Sequence, residues 1–125
     1  MQPPRVIDEY EDEAASRSYL EAYWSWYMTD FEKRCLPLGA RRAKAALDPD
    51  SDWSRRVQGE WERAEEKVRS ALADGLSEFE QRIRDRVLEA FRERTLVINR
   101  CPRCRRVVRT PLARQCLWCG HDWHR

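Results

Sequence analysis

Glycine, lysine and histidine are scarce in this sequence: its 125 residues include 4 glycines, 3 lysines and 2 histidines. So few glycines leave no glycine-rich loop of the kind that cradles phosphate, and the two histidines, His121 and His124, complete neither a metalloprotease helix motif nor a Ser–His–acid constellation. Long apolar runs are also missing. The most apolar stretch, residues 19–28, is interrupted by Glu21 and falls far short of the roughly 20 residues that span a bilayer. Residues 1–13 are acidic and lack the apolar core of a secretory signal. The expectation is a cytoplasmic protein in a reducing compartment, not an enzyme, with neither a membrane nor a small-molecule substrate as partner.

Acidic residues are absent from one stretch in particular. Residues 95–125 hold a single acid, Asp122, against seven arginines, whereas residues 1–50 carry 10 acids and 7 bases and residues 51–94 carry 11 and 10. The formal net charge of +2 therefore hides a split of −3, −1 and +6. Arginine outnumbers lysine 21 to 3 throughout the chain, which is a compositional habit; the missing acids in the tail are not explained by it.

Four of the five cysteines lie in that basic tail, as Cys101-Pro102-Arg103-Cys104 and Cys116-Leu117-Trp118-Cys119-Gly120. Two Cys-x-x-Cys pairs separated by eleven residues supply the four thiolates that a tetrahedral structural zinc requires. A tight turn aims both sulfurs of a pair at one ion, and proline after the first cysteine and glycine after the fourth suit such turns. Two disulfides are the alternative, but nothing points to secretion. The expectation is one structural zinc ion on Cys101, Cys104, Cys116 and Cys119. The fifth cysteine, Cys35, reads as a helix residue without chemistry.

Residues 1–94 read as a helical domain and residues 95–125 as a small β zinc ribbon, so the fold class is mainly α: a helical bundle or hairpin followed by the ribbon. Tyr19, Leu20, Tyr23, Trp24, Tyr27 and Phe31 recur at three- and four-residue steps and define one apolar face. Breaks are expected near 29–30, where Thr29-Asp30-Phe31-Glu32 forms a capping box, near 36–39 at Leu36-Pro37, near 48–52, and near 75–77. From Trp53 a stripe of Val57, Trp61, Ala64, Val68 and Leu72 continues past Gly75 almost in phase, which would suit one long rod. Gly75 followed by Ser77-Glu78-Phe79-Glu80 argues instead for two helices, and the coincidence of stop and start signals favours the break. Tyr23, Tyr27, Trp61, Val68, Leu72, Phe79, Ile83 and Val87 are expected to share one core. After Arg94 the β-branched runs Leu96-Val97-Ile98 and Val107-Val108 predict short strands flanking the first cysteine pair.

The run from Arg100 through the first cysteine pair, Arg109-Thr-Pro-Leu-Ala-Arg-Gln-Cys116, and the ending Trp118-Cys-Gly-His-Asp-Trp-His124 together resemble the C-terminal zinc ribbon of a group of small uncharacterised bacterial proteins, over about residues 74–125. The resemblance implies the fold and the metal and no activity. Arg105 departs from it, occupying a place where such turns commonly carry glycine.

Four cysteine ligands leave no open position for a water, so the zinc is expected to be structural. His121 and His124 are then exposed residues, hydrogen-bond donors to a thiolate sulfur, or alternative ligands. Arg103, Arg105, Arg106, Arg109 and Arg114 cluster around the turns, with Trp118 available to stack on a base, which favours an adaptor whose ribbon contacts nucleic acid. A purely protein-binding module, docking through its helical part, is the alternative. A rubredoxin-like iron protein for electron transfer is a further one.

Overall fold

The computed structural model describes residues 10–124; residues 1–9, and with them most of the acidic leader, lie outside the described residues. Among the described residues the chain forms five α-helices and one 3-10 turn: α1 (Asp12–Tyr23), the turn Trp24–Tyr27, α2 (Asp30–Ala45), α3 (Asp52–Arg63), α4 (Glu66–Leu72) and α5 (Leu76–Arg92). No helix is long and apolar enough to cross a membrane.

The start signals for α2 and α3 act as their chemistry predicts. Thr29 Oγ1 accepts from the Glu32 N–H at 3.1 Å while Glu32 accepts from the Thr29 N–H at 2.8 Å, which closes a full capping box on α2. Ser51 caps α3 through the Ser54 N–H. Gly75, at φ +95°, separates α4 from α5, a backbone state that costs glycine little. The break expected near 36–39 does not occur, because α2 runs through Pro37. Pro37 lies on an exposed stretch of the helix, where water can take the carbonyl that loses its donor. A break the sequence does not announce falls at Ala64 and Glu65, both extended, with no side-chain cap on α4.

The chain divides into two compact units. The first comprises Met1–Tyr27 and Arg86–Arg125, the second Met28–Asp85. In the second, α2 packs on α3 and α4 around Cys35, Leu38, Val57, Val68, Leu72 and Ile83. Gly39 lets α2 come close to Leu72, since a Cβ there would stand 2.8 Å from Leu72 Cδ2. Arg41 donates twice to Glu60 Oε2, at 3.1 and 2.6 Å, and so ties α2 to α3. In the first unit, Tyr19, Leu20, Val87, Ile98, Val107 and Val108 are buried.

The single core expected from the apolar stripes is thus shared between units: Val87 belongs to the first, and Val68, Leu72, Phe79 and Ile83 to the second. Trp61 is not a core residue. It is half-buried, and the Arg42 guanidinium lies 3.4 Å from its ring centroid, so a cation covers one face of the ring.

The short strands do not form either. Among the described residues no strand is present, and the tail contains two isolated antiparallel bridges, Arg100 with Val107 and Gln115 with Asp122. Each β-branched run sits beside a cysteine turn whose hydrogen bonds close locally, which leaves too few consecutive backbone groups to build a ladder.

Candidate metal centre

The cysteine module is one local design used twice. In the first half the Arg105 N–H donates to the Cys101 carbonyl at 2.9 Å, the Cys101 N–H to Arg106 at 2.9 Å and the Val108 N–H to Asn99 at 3.2 Å. In the second half, fifteen residues on, the Gly120 N–H donates to Cys116 at 2.9 Å, Cys116 to His121 at 2.8 Å and Trp123 to Arg114 at 2.9 Å. The residue after each second cysteine is left-handed, Arg105 at φ 68° and Gly120 at φ 79°. The arginine therefore stands in a conformation that costs an L-residue about 1–2 kcal/mol, and glycine takes the equivalent place in the other half.

These turns bring the four sulfurs within 4.8 Å of one another. Cys101 Sγ lies 3.7 Å from Cys119 Sγ, and Cys104 Sγ 3.6 Å from Cys116 Sγ. All four are free thiols, too far apart for the roughly 2.05 Å of a disulfide. A tetrahedron with metal–sulfur bonds of about 2.3 Å has edges of about 3.8 Å, so the cluster is shaped to hold one metal ion. Backbone N–H groups already point at sulfur, from Arg103 to Cys101 at 3.4 Å and from Trp118 to Cys116 at 3.3 Å, as a thiolate favours.

Without a cation the thiols are in conflict. Burial acts to raise the Cys101 thiol, but the N–H groups of Cys104 and Arg103 together with the Cys119 and Cys104 side chains outweigh it and bring it down to about 7. Burial pushes Cys104 up to about 11, and the neighbouring cysteines add to the rise. A shared dication would resolve this by stabilising every thiolate at once. Cys119 is exposed, whereas Cys101 and Cys116 are buried.

The first helix of the same unit braces the module. Arg100 donates to both carboxylate oxygens of Asp12, at 2.7 and 3.3 Å, and to the carbonyl of Arg105 at 3.0 Å. Hydrogen bonds from Arg100 and Tyr10 hold the Asp12 carboxyl below the ordinary carboxylate range. Tyr10 Oη accepts from the Val107 N–H at 3.0 Å, and the Tyr10 ring meets Trp118 edge-on, centroids 5.0 Å apart. Asn99 Nδ2 donates to the carbonyls of Thr110 and Ala113, at 2.9 and 3.0 Å, and fixes the loop between the cysteine pairs. Tyr10, Asp12 and Asn99 escape a sequence reading because their partners are distant in the chain and no local pattern marks them.

The arginines separate into two kinds. Arg106 lies over the rings of Tyr10 and Trp118 at 5.3 and 5.4 Å. Arg103, Arg105, Arg109 and Arg114 are exposed, and their side chains make no ion pair with any described residue. Trp118 is half-buried and packs on the module core. Neither histidine belongs to the sulfur cluster: the His121 ring stacks on Trp123, centroids 5.7 Å apart, and His124 Nδ1 lies 2.5 Å from Asp122 Oδ1.

No protein-family model, curated protein or solved structure matches the chain.

Proposed function

We propose that the chain is a non-enzymatic adaptor in which Cys101, Cys104, Cys116 and Cys119 hold one structural zinc ion, and the module so formed presents arginines to nucleic acid. Four thiolates fill a tetrahedral shell, so the ion would supply folding energy and no open coordination position. The observation that carries the polyanion reading is that Arg103, Arg105, Arg109 and Arg114 are exposed without ion-pair partners among the described residues, while the only acid of the tail, Asp122, is engaged with His124. Cations left unpaired on a small rigid module are free to replace the counterions of a phosphate backbone.

Metal analysis of protein purified without chelator is expected to give one zinc per chain and a colourless solution; a red protein with bound iron would select the electron-transfer reading instead. Binding to duplex DNA and to RNA should weaken steeply with salt. Each arginine that contacts a phosphate contributes about 0.9 to the log–log slope, so changing Arg103, Arg105 and Arg114 together to Glu should flatten the slope without releasing zinc. Absence of salt-sensitive retention at about 50 mM salt would give first place to the protein-binding reading.

A further inference from the structure

A groove of about 350 Å³ runs along the first unit, between α1 and the cysteine module. From α1 it is lined by Ala15, Ser18, Ala22 and Tyr23, and from the module by Val107, Leu117, Trp118 and Arg109. On the helix side Ala15, Ser18 and Ala22 recur at helical spacing beside the larger Tyr19 and Tyr23. Opposite, Leu117 is 62% exposed, although it sits inside a Cys-x-x-Cys turn where a polar residue would serve the metal equally well. The polar groups are donors without work: the hydroxyls of Ser18 and Tyr23 and the guanidinium of Arg109 have no hydrogen-bond or ion-pair partner among the described residues. Among the described residues Arg109 is the only charged one lining the groove. An apolar floor with a single unpaired cation favours an occupant that brings apolar side chains and a carboxylate.

We infer that this groove is the docking site for a short acidic segment of a partner protein, anchored by apolar side chains with an Asp or Glu set against Arg109. The site is independent of the arginines assigned above to nucleic acid, apart from Arg109 itself. It gives the adaptor a second binding surface within the same unit.

The test uses the metal-loaded full chain as bait for a display library of short random peptides, followed by fluorescence polarisation with the enriched sequence as a labelled synthetic peptide. The expected consensus pairs at least two large apolar residues with an acidic one. Ser18→Arg and Leu117→Asp, on opposite walls and both at exposed positions, should each weaken the labelled peptide by about tenfold or more, with metal content and circular dichroism unchanged. Arg109→Gln should weaken acidic peptides more than their amide analogues. The proposal is overturned if the wild-type bait enriches nothing beyond a Ser18→Arg/Leu117→Asp bait, if the consensus lacks acids, or if both wall variants bind as wild type. It is also overturned if an oligonucleotide, and not an acidic peptide, is the ligand lost in the wall variants. Loss of nucleic-acid binding in the Arg103/Arg105/Arg114 variant leaves peptide binding intact, so the two functions fail separately.

Discussion

Tyr10 shows how much one side chain can contribute to a module that has little core of its own. Its hydroxyl takes the Val107 N–H, and Val107 is buried. Tyr10→Phe keeps the ring but leaves that donor without a partner, at a cost of about 1–3 kcal/mol, to be read as weakened metal retention in a chelator competition. At the left-handed position of the first turn, Arg105→Gly should relieve strain and stabilise by up to about 1 kcal/mol, while Gly120→Ala should cost a similar amount. Paired thermal melts of the metal-loaded variants check both signs. The sequence announces the four-cysteine cluster itself, because two Cys-x-x-Cys pairs encode it in their spacing. It flags Arg105 as well, through the glycine expected there. It is silent about Tyr10 and Asp12, whose roles arise only once the ends of the chain meet, and about Asn99, whose partners lie 11 and 14 residues on in the loop between the cysteine pairs.

At the scale of elements, what could be read depended on whether a signal was satisfied locally. Thr29 and Ser51 cap α2 and α3 with atoms three residues away, so those starts are legible. Pro37 is a strong local signal that the surroundings override. It lies inside α2 on the exposed side, and Pro37→Ala should stabilise the helix by about 1–3 kcal/mol, since an interior proline costs roughly 3 kcal/mol relative to alanine; urea denaturation followed by helicity would show it. The break at Ala64 and Glu65 has no glycine, proline or cap to announce it. Burial ranks the apolar stripe in a way periodicity does not: Leu72, 1% exposed, should cost about 2–5 kcal/mol when truncated to Ala. Trp61→Ala should cost less than a fully buried tryptophan, because its partner is the Arg42 guanidinium and a cation–π contact contributes only about 0.5–2 kcal/mol. The absent strands follow the same logic, since cysteine turns that close their own hydrogen bonds leave the β-branched runs nothing to pair with.

For the whole molecule, the division into two units predicts how it responds to losing metal. Chelation should abolish hydrogen-exchange protection across residues 96–124 and loosen the start of α1, where Tyr10 and Asp12 lose their partners. Amides of α2, α3 and α4 should stay protected, since the core of the second unit contains no metal ligand. Uniform loss of protection along the chain would mean that the two units unfold together.

Unit one also draws its residues from both sides of Met28–Asp85, and this sets an order of events at birth. A ribosome adds about 5–20 residues per second, so Tyr10 and Asp12 are made several seconds before Arg100 and Val107 exist to receive them. The contiguous stretch between has that interval in which to collapse alone. Cys119 is the last of the four cysteines to be made, so an ion held by the cluster would be captured only after that stretch has had its interval. A cell short of metal would accumulate chains with one finished half and one open half, whose uncovered Ile98, Val107 and Val108 are the kind of surface that chaperones and proteases recognise.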